Sequence, residues 1–293
     1  MKVLLAHDGQ PPSDEARKLL IKLADRKRVD VTVVCVESFD MALEVGARTE
    51  GKYSLEAGRK YAESVVERTV EELRGEGFQV SGLVREGHPP FEILTQIESG
   101  RHELAVLGTG KAGRLGQVVL GSASTKVLHA SLTSVLIVHK ADEGQDGRIL
   151  VGIDGSDASE SAVDAVGELC DPERVKVHMS AAIRLSDAAA LGGDWARLAS
   201  KGQEELVAHL RSEAEDDLAR ARKSLEEKGF VVTSDVAEGN PAEHLLTQAD
   251  ERNFDVVAVG ARGRTKLERV LLGSVTDRIM RQSRASLVGR GTA

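Results

Sequence analysis

The sequence predicts a duplicated α/β protein in which two units each carry a parallel sheet with helices on both faces. Three observations carry this expectation. The 293 residues suit about two domains of ordinary size. The chain repeats itself with a period of domain length. Within each copy, short apolar strands alternate with amphipathic helices.

The repeat is direct. Lys2-Val-Leu-Leu-Ala-His-Asp8-Gly9 aligns with Arg148-Ile-Leu-Val-Gly-Ile-Asp154-Gly155 at an offset of 146. Val84-Arg-Glu-Gly-His-Pro89 aligns with Val236-Ala-Glu-Gly-Asn-Pro241 at 152, as do Gly108 with Gly260 and Gly121-Ser122 with Gly273-Ser274. The second copy is thus about six residues longer, and the period is a domain rather than a solenoid repeat. The copies are expected at 1–140 and 148–293, joined by the polar, Gly-containing linker 141–147.

In the first copy, Val3 to Ala6 is a strand ending at Asp8-Gly9, and Ser13 caps a helix from Asp14 to Lys27. The continuous β-branched run Val31–Val36 predicts a strand buried on both faces. Apolar spacing of three and four makes Leu55–Gly75 an amphipathic helix, and Phe78–Val84 is the third strand. Pro89 and Pro90 open the next helix, where proline is tolerated. Leu104–Leu107 and Ser134–Val138 are the last strands, with a helix over Ser122–His129 between them. The second copy repeats these with strands at 149–153, 175–179, 230–236 and 256–259, a long helix from Glu204 to Lys228 and a short last strand at 286–288. Ser38–Ser54 and Ala181–Gln203 diverge most, and Trp195 there is given a packing role.

Composition excludes several function classes. Lys plus Arg is 39 and Asp plus Glu is 47, a net charge of −8, with only 3% aromatics. Duplex DNA binders neutralise phosphates with Lys and Arg, and single-strand binders stack bases on aromatic rings, so no nucleic-acid partner is expected. No apolar run approaches the ~20 residues of a membrane span. Asp8 comes too early for a signal peptide, so a cytoplasmic, soluble protein is the default. Cys35 and Cys170 are too few for a disulfide scaffold and read as small buried hydrophobes. The eight histidines contain no H-E-x-x-H pair, and no metal site is expected.

The chemistry-bearing segment is Gly260-Ala-Arg262-Gly263-Arg264-Thr-Lys266, followed after a short run by Gly273-Ser274-Val275-Thr276. Glycine lets backbone approach a ligand closely and adopt positive φ. A helix starting at Gly273-Ser274 offers free N–H groups and a hydroxyl to an anion. Arg262, Arg264 and Lys266 add positive charge. Alone, this loop is equally a glycine turn beside a solvated basic cluster. Its recurrence in both copies, with an Asp at each first-strand end, points to a phosphate cradle.

These residues resemble the universal stress protein family, and the likeness covers both halves. Its nucleotide-binding members carry G-x-x-G, nine residues, then G-S/T, which Gly260, Gly263, Gly273 and Ser274 match. Asp154-Gly155-Ser156 matches the family's D-G-S at the first strand end. The resemblance implies an open five-stranded parallel sheet in each copy, Rossmann-like and adenine nucleotide alpha-hydrolase-like, with ATP at the strand ends, alone or with Mg. It implies that Asp154 contacts adenosine and that backbone near Ser180, at the second strand's end, pairs with adenine. Gly260, Gly263, Gly273, Ser274 and Thr276 would hold ribose and phosphates. It also implies pairing of the two copies through their last strands, with a homodimer of whole chains left open.

The first copy departs from the pattern. Asp8, Gly108, Gly121 and Ser122 are kept, but Lys111 stands where the second glycine belongs, and His7 and Gln10 flank Asp8-Gly9. Gly110 and Gly113 could supply the lost flexibility, or the Lys side chain could fill the site. Gly108-Thr-Gly110-Lys-Ala-Gly113 also spells a dinucleotide fingerprint, but after the fourth strand and without the acidic residue about 20 positions on. A P-loop fails at Ala105 and Ala112. Neither Ser156 nor Ser274 has a recognisable His partner, so no catalytic residue is identified. The leading expectation is an ATP-binding regulatory, stress-response module with at most weak hydrolysis. An ATP-hydrolysing or nucleotidyl-transferring enzyme on the same fold is the alternative, as is an interaction module with vestigial sites.

Overall fold

The computed structural model describes residues 1–39, 41, 43, 55–109, 121–141, 144, 146–184, 202–261 and 272–290. The chain divides into two compact units, Met1–Glu143 and Gly144–Ala293.

The first unit runs β1 (Lys2–Ala6), α1 (Pro11–Leu23), β2 (Asp30–Glu37), α2 (Leu55–Gly75), β3 (Gln79–Glu86), α3 (Pro89–Gly100), β4 (Leu104–Gly108), α4 (Ser122–Ala130) and β5 (Ser134–Val138). Every pairing in it is parallel, in the order β3-β2-β1-β4-β5. The second runs β6 (Gly147–Ile153), α5 (Asp157–Leu169), β7 (Val175–Ile183), α6 (Gln203–Glu227), β8 (Val231–Glu238), α7 (Pro241–Glu251), β9 (Val256–Gly260), α8 (Ser274–Gln282) and β10 (Ala285–Gly289). Its order, β10-β9-β6-β7-β8, is the same arrangement, again parallel throughout. The α/β class and the parallel sheets are therefore as the sequence predicts.

The order reverses direction between the first and fourth strands of each unit. Connections leave these two neighbours toward opposite faces, which opens a crevice at their carboxyl ends. Asp8 and Gly108 stand there in one unit, Asp154 and Gly260 in the other. The inner strands are buried apolar runs, as sheets covered on both faces require. Leu245 and Ala249 of α7 and Ile279 of α8 close over Leu150, Phe254, Val257 and Val259 as one core cluster. Among the described residues, no helix is long and apolar enough to cross a membrane.

Several boundaries differ from expectation. Helix α1 begins at Pro11, not Asp14, with Gln10 at its N-cap and prolines in its first turn. Ser13 therefore does not cap it; its hydroxyl turns back to Asp8 Oδ1 (2.7 Å) and the Gln10 carbonyl (2.8 Å). The helix ends at Leu23 because Asp25 takes the Lys27 amide and the Arg28 side chain into a turn. Phe78 precedes its strand and packs in the core. β6 starts inside the expected linker, at Gly147, where the amide bonds the Arg174 carbonyl. Gly289 belongs to β10, since a Cβ there would strike Ala162 of α5.

Candidate functional site

In the second unit, the turn after β6 is built around Asp154. Its Oδ1 accepts the Ser156 amide (3.1 Å) and the Ser156 hydroxyl (2.6 Å). Ser156 is also the N-cap of α5, its Oγ accepting the Ser159 amide at 3.2 Å. Gly155 takes φ +71°, the left-handed region that a side chain rarely tolerates. Asp-Gly-Ser is thus one device: the serine starts the helix and fixes the carboxylate, while the glycine makes the turn.

The first unit reaches the same arrangement with different residues. Gln10 replaces the serine, and Ser13, one turn into α1, supplies the hydroxyl to Asp8 instead. Gly9 keeps the positive φ, at +76°. A Cβ on Gly9 would stand 2.5 Å from the Tyr61 hydroxyl, so α2 lies directly over this turn. His7 is buried; its Nδ1 accepts the Gly9 amide (3.2 Å), which leaves Nε2–H to donate to Asp14 (3.2 Å). Burial, opposed by the Asp14 and Asp8 charges, holds the His7 pKa below its ordinary value. Burial likewise pushes the Cys35 thiol up to about 12, which leaves it an inert core group.

Each fourth strand ends in a glycine for a packing reason. A Cβ on Gly260 would lie 2.6 Å from the backbone of Ala158 and Ser159, and one on Gly108 would strike the Pro12 backbone. The sequence predicts that Gly260 lets backbone approach a ligand closely; the atoms nearest its Cβ direction belong to the first turn of α5. Beyond this glycine the chain is pinned. The Ala261 amide bonds the Gly289 carbonyl (2.9 Å) and the Gly273 amide bonds the Ala261 carbonyl (3.0 Å). Thr276 is buried and its hydroxyl donates to the Gly260 carbonyl (2.7 Å), so it holds α8 against β9. Ser124 does the same to Gly108 (2.6 Å), a role the sequence reading missed although Ser124 aligns with Thr276.

Gly273 and Gly121 are the N-caps of α8 and α4, extended in backbone and without a side-chain capping bond. The early N–H groups at Ser274-Val275-Thr276, and at Ser122 in the first unit, therefore lack the internal capping partner that Ser156 gives α5. This donor set suits an anion. Arg262, Gly263, Arg264 and Lys266, and in the first unit Gly110, Lys111 and Gly113, lie outside the described residues, as does Trp195.

Ser180 is not at a strand end. β7 continues through Ala181-Ala182-Ile183, which pair with β8 up to Ile183↔Glu238. Ser180 is buried and its hydroxyl donates to Asp235 Oδ1 (2.5 Å), with His244 Nε2 at 2.9 Å. This cluster, extended by Gln248, His178 and Arg252, was not anticipated; the signal was three polar residues on strands otherwise read as apolar. Burial acts to raise the Asp235 pKa, but bonds from Ser180 and Gln248 and the nearby His178 hold it below the ordinary value. Among the described residues, no group of three or more His, Cys, Asp or Glu is placed to hold a metal ion.

The profile of the Universal stress protein family matches residues 1–139 and 147–288. A universal stress protein of Mycolicibacterium smegmatis is 28% identical over 291 residues, covering 94% of this chain and 92% of that protein. Universal stress protein Rv2005c of Mycobacterium tuberculosis is 26% identical, covering 98% and 95%. The crystal structure of a universal stress protein from Archaeoglobus fulgidus shares the fold with a TM-score of 0.66 at 20% identity, over 99% of this chain and 98% of that one. With both halves matched and relatives spanning nearly the whole length, the chain belongs to the universal stress protein family as a tandem, two-domain member.

Proposed function

We propose that this protein is an ATP-binding regulatory module of the stress response, acting in the cytosol, with its principal nucleotide site in the second unit. One observation carries the reading. The uncapped N-terminus of α8 is fixed beside the end of β9, next to Asp154 at the neighbouring strand end, at the family's G-x-x-G-x9-G-S spacing. The amides of Ser274, Val275 and Thr276 would take phosphate oxygens, with Gly263, Arg262 and Arg264 in the preceding loop. Asp154 and Gly155 would face the nucleoside, and the backbone at Ala182–Ile183, which runs past the last β6 partner of β7, would meet the base in place of Ser180. Mg would act as a counter-ion of the phosphates. No general base is assigned, so ATP serves as an equilibrium ligand that favours one state of the protein over another.

In the first unit, Asp8, Gly108, Gly121 and Ser122 repeat the frame. Tyr61 over Gly9 and Lys111 at the second glycine position favour one nucleotide per chain. The test is calorimetric titration of the full chain with ATP. One ATP per chain is expected, with Gly263→Val reducing affinity at least tenfold. No binding at millimolar ATP sinks the reading, and so does an unaffected Gly263→Val.

A further inference from the structure

The second unit carries a polar network that the first lacks, with His178, Ser180 and Gln248 buried, Asp235 and His244 half-buried, and Thr233 and Arg252 exposed. By strand alternation, Lys176, His178 and Ser180 of β7 share one face of the sheet, with Thr233 and Asp235 of β8 beside them. Helix α7 lays His244 and Gln248 over this face, and Arg252 ends the helix as its C-cap. At the matched positions the first unit has Thr32, Val34, Leu83 and Glu92 in place of His178, Ser180, Asp235 and His244. The fold therefore does not need the network, and burying His178, Ser180 and Gln248 costs stability unless each is bonded.

The proton inventory fixes its state. Arginine can only donate, so Arg252 Nη1 at 3.0 Å makes His178 Nε2 an acceptor. The ring proton then sits on Nδ1 and is donated to Thr233 Oγ1 at 2.7 Å. Asp235 Oδ2 lies 3.3 Å from the same Nε2 and accepts Gln248 Nε2 at 2.6 Å, while its Oδ1 accepts Ser180. His244 Nε2 stands 3.8 Å from Asp235 Oδ1 and 3.0 Å from Gln248 Nε2. Phe254 stacks on the His178 ring, and the Arg148 and Arg252 guanidinium groups both lie over Phe254. Asp255 accepts the Arg148 amide. Among the described residues, Arg252 opposes a second proton on His178, and Asp235 is the carboxylate within reach of Nε2.

We propose that His178 is an acid-operated latch between β7, β8 and the C-terminal turn of α7, exchanging Arg252 for Asp235 as its Nε2 partner when it takes up a proton. Protonation puts hydrogen on Nε2, so the Arg252 bond is lost and two cations face each other. Asp235, ionised, then accepts from the imidazolium. Leu245 and Ala249 keep the body of α7 in the core, so the change falls on the last turn, around Arg252. The sign follows from burial. Desolvation first and Arg252 second hold His178 below its ordinary 6.5. The closed latch is therefore fully formed above that value and opens as pH falls through the lower folded value.

The test is a pH titration of the full chain by nitrogen and amide NMR. At neutral pH, His178 should show the Nδ1–H tautomer. As pH falls from 6.5 through the His178 titration point, amide exchange in Ala249–Arg252, taken relative to the intrinsic rate at each pH, should accelerate by up to about tenfold per pH unit. His178→Thr, the residue of the first unit, should abolish that acceleration. Arg252→Gln should raise the His178 titration point, and this readout holds even if His178→Thr folds poorly. An Nε2–H tautomer at neutral pH overturns the latch, as does exchange indifferent to His178 titration or a His178 titration unmoved in Arg252→Gln.

Discussion

A methyl group on Gly260 separates packing from ligand contact at the fourth-strand end. The Cβ of Gly260→Ala would sit 2.6 Å from the Ala158 carbonyl carbon and the Ser159 nitrogen. Both are backbone atoms of the first turn of α5, and no rotamer change can move them. Either β9 or α5 must shift, and overpacking of this kind costs about 1–3 kcal/mol. A unit of this size loses about 2–4 °C of Tm per kcal/mol, so a fall of roughly 2–12 °C is expected. Gly75→Ala is the matched control. Gly75 ends α2 with nothing within 4 Å of its Cβ direction, so the same substitution should stabilise by about 0.5–1 kcal/mol. Differential scanning calorimetry of both variants gives the answer. A Gly260→Ala protein that melts within 1 °C of the parent, ~0.3 kcal/mol on the same scale, would refute the packing argument. If it also lost ATP binding, the glycine would have to face the ligand after all.

Three further outcomes follow from the geometry. Ser156→Ala removes the α5 cap and one Asp154 bond together and should cost about 1–2 kcal/mol by urea denaturation, whereas Gln10→Ala in the first unit should cost almost nothing. Burial disfavours the charged form of His7, so its contribution is present above 6.5 and is lost as pH falls through its lower folded value; His7→Ile, the residue of the second unit, should flatten the Tm profile below pH 6.5. Phe254→Ala should cost about 3–5 kcal/mol by chemical denaturation, since the ring is enclosed by Leu245, Val257 and His178.

The periodic elements were legible in the sequence because their physics is local. Leu55–Gly75 and Ser134–Val138 match residue for residue. The misread boundaries are those where a side chain had two candidate partners. Ser13 has the composition of an N-cap, but Asp8, distant by five positions, claims its hydroxyl. Ser180 seemed to end a strand because a polar residue interrupts an apolar run. The interruption is answered by Asp235 and His244, 55 and 64 positions away. Gly260 illustrates a third limit. The sequence marks a position that excludes a side chain, but only the fold reveals which atoms exclude it. The Asp-Gly turns and the Gly-Ser helix starts were visible through the repeat itself, since two copies of one unit act as a two-member comparison. Ser124 shows that even this comparison was underused.

The pins at the mouth of the cradle loop carry an evolutionary consequence. Thr276 to Gly260 and Ser124 to Gly108 fasten both ends of a fifteen-residue stretch to the sheet, with equal spacing in the two copies. Loop length and anchorage are thereby held constant while the residues between them change without cost to the strands. Lys111 can thus replace the second glycine in one copy while Gly263 is kept in the other. Duplication of such a unit creates a spare strand end whose fold survives a change in the loop it carries.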